Sequence, residues 1–105
     1  MIARYWSAKT SKERAPQYAA HLADTVIPEL FGLAGFEGAQ LLQRNTGDTT
    51  EIVVLTYWQS LEAIRRFAGD DTESAVVPEK AAQLLESYDR RVKHYEVTAF
   101  DANSV

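Results

Sequence analysis

The stretch VVLTYWQSLEAIRRFAGDD, Val53 to Asp71, passes from apolar and aromatic residues into a charged, helix-like segment with only Gln59 and Ser60 between them. In an extended strand, Ile52, Val54, Thr56 and Trp58 face one way and Val53, Leu55 and Tyr57 the other. Both sets are mostly apolar, so this strand expects cover on both faces. Ser60 is an N-cap for a helix over Leu61 to Ala68, Glu62 sits in its first turn, and Gly69 ends it.

Outward from this strand, the remaining elements follow from periodicity. Ile2 to Ala8 alternates as strand one, with Ile2, Arg4, Trp6 on one face and Ala3, Tyr5, Ser7 on the other. Ala19, Leu22, Val26, Leu30 and Leu33 then form a helical stripe, with Pro16 suited to its first turn and Pro28 kinking or restarting it. Phe36 to Thr46 and Glu51 to Trp58 form a hairpin around Asn45, Thr46, Gly47 and Asp48. Ala75 to Tyr88 reads as a helix broken by Pro78, and Arg91 to Phe100 as strand four. The order β-α-β-β-α-β predicts an α+β, ferredoxin-like domain with a four-stranded antiparallel sheet over residues 1–100, and a short tail over 101–105.

Two helices cover one face of such a sheet, and the chain has no third layer for the other. Exposing an apolar face forfeits about 25 cal/mol per Å². The expectation is therefore a homodimer whose sheets face each other, with Ala39, Leu41, Tyr5 and Tyr95 extending the patch on strand three. The bland alternative is a central strand shielded by its own neighbours.

Composition narrows the partners. The net charge of −4 offers no basic field for nucleic acid, and no apolar run approaches the roughly 18 residues of a membrane span. The absence of cysteine removes disulfides, thiolate nucleophiles and cysteine-ligated metals, and leaves the redox compartment open. The N-terminus MIARYWSAK is too short and polar for a signal peptide, so a cytoplasmic protein is expected.

VVLTYWQSLEAIRRFAG, the residues Leu33, Ala34, Gly35, Phe36 before strand two, AVVPEKAAQLL and VKHYEV together resemble the antibiotic biosynthesis monooxygenase domain of the dimeric α/β-barrel superfamily. The resemblance spans nearly the whole chain and implies the fold above. That superfamily includes cofactor-free oxygenases of aromatic polyketides, haem-degrading enzymes and many proteins of no known activity. The haem-degrading pattern calls for an Asn on strand one, a Trp after strand three and a His in the next helical stretch. The corresponding places here hold Trp6, Phe67 and Val76 or Val77, none of which replaces an imidazole ligand.

The resemblance thus implies a cofactor-independent monooxygenase acting on a small phenolic or quinol-type aromatic molecule. Such chemistry needs a base, donors for the substrate anion and a dry aromatic pocket. His94 is the candidate base and Arg4 the candidate anion holder, while Trp6, Trp58, Phe67 and Tyr57 are candidate substrate-binding residues. Each has a structural reading beside it. His94 could be a strand residue bonded to a carboxylate, Arg4 could pair with Glu96 or Glu51 at the rim, the tryptophans could be core, and the tyrosines could line the dimer interface. His21 is a boundary residue of the helix. Arg65, Arg66, Arg90 and Arg91 read as solvated, and Asp70, Asp71 and Glu73 lack the spacing of a metal loop. The alternative function is a non-catalytic dimeric small-molecule binder, or a structural module of the same fold.

Overall fold

The computed structural model describes residues 1–100, and the tail 101–105 lies outside the described residues. Strand β3, Thr49–Trp58, alternates strictly between buried and half-buried positions, which sets the phase of the whole sheet. Thr50, Ile52, Val54, Thr56 and Trp58 are buried, and Glu51, Val53, Leu55 and Tyr57 lie on the opposite, outer face. Strand β1, Ile2–Ser11, pairs antiparallel with β3, so Arg4, Trp6 and Ala8 share the inner face with Thr56, Val54 and Ile52. Strand β2, Phe36–Thr46, joins β3 through a two-residue turn in which Gly47 adopts φ 63°. A side chain with a Cβ would be disfavoured there.

Between β1 and β2 the expected helix is three pieces. Helix α1, Ala15–His21, runs into a wider π-helical turn, Leu22–Val26, and then into α2, Ile27–Leu30. Pro28 has no N–H for a regular turn, and the chain accommodates it with the looser turn just upstream, where the Ile27 N–H reaches the Leu22 carbonyl. Tyr18, Leu22 and Leu30 are buried in the stripe, whereas Leu33 lies past the last turn and is exposed. Gly35, at φ 88°, is obligatory for a second reason: a Cβ there would lie 2.5 Å from that of Ala63.

Helix α3, Leu61–Ala68, forms as its sequence expects, with the Ala63 N–H donating to Ser60 Oγ at 3.2 Å. The segment after it departs from expectation. In place of a helix over Ala75 to Tyr88 there is only α4, Glu79–Ala82, followed by the short strand β4, Ser87–Tyr88. The backbone prefers the free edge of β1: Glu86 and Asp89 N–H groups donate to the Lys9 and Ser7 carbonyls at 2.8 and 2.9 Å. Strand β5, Lys93–Glu96, is likewise shorter than the expected Arg91 to Phe100, and pairs with β1 at Ile2 to Tyr5.

The sheet order is β2-β3-β1, with β4 and β5 sharing the far edge of β1, and the helices cover one face. This is the ferredoxin-like arrangement. The outer face carries Val53, Leu55, Tyr57, Tyr5, Leu42 and Tyr95, the last two 46% and 54% exposed. Ala39 and Leu41 are not part of that patch, as the sequence reading had them. An irregularity at Phe36 and Gly38 sets the phase of β2 so that they pair with Thr56 and Val54 on the inner face, and Gln40 and Leu42 point outward.

Candidate active site

The inner face of the sheet and the helices do not close completely. A cavity of about 80 Å³ remains, walled by Arg4 and Trp6 of β1, Val54 and Thr56 of β3, the α1–α2 stripe, Phe67 of α3, and the segment Val76–Pro78. The wall is apolar except at Arg4, Tyr18 and Thr56. Among the described residues, Val76 and Val77 make no backbone–backbone hydrogen bond, and Val76 is 46% exposed. This is the least restrained part of the wall, and the side on which the cavity can widen.

Arg4 is 4% exposed, yet no carboxylate among the described residues forms an ion pair with it. Glu51 instead binds Arg44, and Arg91 binds Asp71 and Glu73 of the acidic loop. The Arg4 guanidinium lies over the Phe67 ring, 5.7 Å from its centroid. Its Nη1 donates to the Thr72 carbonyl at 2.5 Å and to His94 Nε2 at 2.9 Å, and Nη2 donates to the Ser74 carbonyl at 2.7 Å. A guanidinium has five N–H donors, so Nε–H and one Nη2–H are left without an acceptor among the described residues. Burial lowers the Arg4 pKa to about 10, which still leaves it charged at neutral pH.

His94 sits opposite Arg4 in the β1–β5 pairing and bonds to that cation, not to a carboxylate. Guanidinium has no lone pair, so Nε2 must accept, and the ring is neutral with its proton on Nδ1. Burial first, and then the Arg4 charge, hold the His94 pKa below its ordinary value, opposed by Glu73. His94 does not line the cavity. It lies in an open groove on the other side of Arg4, with Thr72, Glu73 and Glu96.

A lowered imidazole pKa has a consequence for stability. Below the ordinary value of about 6.5 the unfolded chain binds a proton that the folded His94 resists, so stability rises with pH in that window. Stability is accordingly lost as pH falls from about 7 and levels off below the folded pKa. Melting curves at pH 7.5 and 5.5 should show a larger fall in Tm for wild type than for His94→Gln; equal falls would contradict the neutral, acceptor state of His94.

The other proposed site residues divide. Trp6 lines the cavity, packs near Tyr18 and Tyr88 at 6.3 Å, and donates its indole N–H to the Asp89 carbonyl. Phe67 also lines it. Trp58 does not: it is fully buried behind Phe67, stacked at 5.2 Å, with its N–H on Thr56 Oγ1. Tyr57 is on the outer face of the sheet, its hydroxyl donating to Gln40, because β3 alternation turns it away from the cavity. Tyr18 was missed by the sequence reading, although its spacing to Leu22 placed it in the helical stripe. Burial raises its phenol pKa, so it presents a neutral hydroxyl.

An apolar pocket between sheet and helices, with one buried cation on its wall, defines a small α+β domain suited to a small molecule. The chain belongs to the antibiotic biosynthesis monooxygenase family, whose profile matches residues 1–73. Among solved structures, it is similar to the haem-degrading MhuD of Mycobacterium tuberculosis, at 20% identity, TM-score 0.63, and coverage of 96% of this chain and 99% of that one. A monooxygenase of Streptomyces coelicolor from the gene ActVA-Orf6, in complex with nanaomycin D, shares 20% identity with TM-score 0.62, over 96% and 88% of the two chains. SnoaB, a cofactor-independent oxygenase from Streptomyces nogalater, shares 18% identity with TM-score 0.55, over 99% and 98%. No curated protein matches the chain. These likenesses show the fold.

One of these relatives holds haem in its active site, and the pocket here differs from such a site. The lining contains no His, Cys or Met, and its tyrosine is held protonated by burial. The closed cavity, about 80 Å³, is also far from the size of a porphyrin. The residues present do not fit a haem.

Proposed function

We propose that this protein is a cofactor-independent monooxygenase of a small phenolic or quinol-type aromatic substrate, working as a cytoplasmic homodimer. The observation that carries the reading is Arg4: a buried guanidinium with no carboxylate partner among the described residues, on the wall of an otherwise apolar cavity. Burying a charge without a partner is costly, and a ligand oxyanion would supply one.

In this reading the substrate enters as Val76–Pro78 yields, and its hydroxyl meets the two spare N–H groups of Arg4. The nearby positive charge in a low-dielectric site lowers the pKa of that hydroxyl, so the proton leaves to water and the phenolate stays. The electron-rich anion transfers an electron to O₂, and the two radicals recombine at a ring carbon. One oxygen atom remains on carbon as a carbonyl, and the other leaves as water with the two hydrogens lost from substrate. The substrate is the only reductant. Oxygen uptake with a naphthohydroquinone, above its spontaneous rate and unchanged by a chelator, supports the assignment; a rate equal to buffer alone sinks it.

Among the described residues no carboxylate or imidazole lines the cavity to take a proton, which favours a second reading, a binder without turnover. A binder would gain thermal stability with the ligand equally under air and nitrogen, and consume no O₂.

The dimer is supported by the apolar outer face, where Tyr5 and Tyr95 pack edge to face at 6.5 Å beside Val53 and Leu55. A second copy laid sheet to sheet would cover it. Leu55→Asp puts a charge at the centre of that face, and light scattering should then report half the wild-type mass; a wild-type protein already monomeric at micromolar concentration would contradict the dimer.

A further inference from the structure

We propose that His94 is a positioning residue: by accepting a hydrogen bond from Arg4 it fixes the guanidinium so that the spare N–H groups select an aromatic ligand bearing an oxyanion. The proposal rests on the anion-holding role of Arg4 given above, and assigns His94 a different task from that of a base. Three acceptors grip Arg4, namely the carbonyls of Thr72 and Ser74 and His94 Nε2, at 2.5, 2.7 and 2.9 Å. Two of them belong to an irregular loop. His94 is the only one carried by a sheet strand, directly opposite Arg4 in the register, so it is the rigid member of the three.

The imidazole is badly placed to take a proton from substrate. Its Nε2 lone pair is occupied by Arg4, and the ring lies in the outer groove, with Arg4 between it and the cavity. The groups facing it there are Glu73 and Glu96, with Lys93 adjacent in sequence, and none reaches the pocket. What His94 contributes to the pocket is therefore delivered through Arg4. Nε–H and Nη2–H are neighbouring donors on one planar fork, a geometry that suits one shared oxygen or the two oxygens of a carboxylate.

The test uses benzoate, an aromatic anion that cannot be turned over, and benzamide, its neutral counterpart. Gln is the discriminating substitution, because its Oε1 can accept from Arg4 but cannot act as a base at neutral pH. Calorimetric titration should show benzoate bound by wild type at least about 10-fold more tightly than benzamide. His94→Gln should stay within about 3-fold of wild type, while His94→Ala and Arg4→Lys each lose about 10-fold or more. If His94→Ala does not fold, His94→Gln and Arg4→Lys decide the matter. Absence of benzoate binding by wild type at millimolar concentration, equal binding of benzamide, or a His94→Gln protein that loses binding would overturn the proposal. Oxygen uptake measured in parallel separates the two readings. Benzoate binding rescued by Gln without any quinol turnover would leave the positioning role standing and remove the oxygenase; turnover in wild type that is abolished in His94→Gln would do the reverse.

Discussion

Arg4→Gln should lower kcat/KM for a quinol substrate by roughly 100- to 1,000-fold, the usual effect of removing a preorganised donor from a developing oxyanion. The loss follows from what Arg4 has around it. Its charge is balanced by no carboxylate among the described residues, its fork retains two uncommitted N–H groups, and the remaining wall of the cavity is nearly all hydrocarbon. Gln keeps a polar head and part of the length while losing the charge, so burial would hold the substrate hydroxyl in its neutral form. Steady-state kinetics with far-UV circular dichroism as a control for folding reads the outcome. A folded Arg4→Gln protein with near wild-type kcat/KM would show that Arg4 is a structural cation only.

Trp58→Ala should have the largest effect on stability. Trp58 is fully buried, meets Phe36 edge to face at 5.2 Å, stacks on Phe67 at the same distance, and places its N–H on Thr56 Oγ1. Truncating such a residue costs about 3–5 kcal/mol, against about 5–15 kcal/mol for a whole domain. At about 4–8 °C per kcal/mol, Tm should drop by more than about 12 °C. A fall below about 5 °C would mean that the core closes over the missing indole. The same substitution would also loosen Phe67 against the pocket, since Trp58 is the surface on which that ring rests.

The contrast between these two residues shows what could be read in advance. Alternation along β3 identified both of its faces, because a strand fixes side-chain direction every second residue. Ser60 and Gly69 bounded α3 for equally local reasons. The segment from Ala75 to Tyr88 was not legible, since its fate depends on a non-local choice: helical spacing favours a helix, but the open edge of β1 takes its backbone instead. Ala39 and Leu41 were misassigned because an irregularity at Phe36 and Gly38 changes the phase, and no single residue announces it. At the site, Arg4 and Trp6 shared a face in the sequence and do so in the fold. The Arg4–His94 contact lay out of reach, because it arises from the β1–β5 register over 90 residues of chain.

The proposed function is that a pocket built around Arg4 adds oxygen to an aromatic substrate without a cofactor. It is tested most directly by turning over a naphthohydroquinone under ¹⁸O₂ with protein stripped of metal, and weighing the product. One ¹⁸O atom per product molecule, formed faster than in buffer and suppressed in Arg4→Gln, is the expected result. A product without label, or one formed at the same rate without protein, would contradict it.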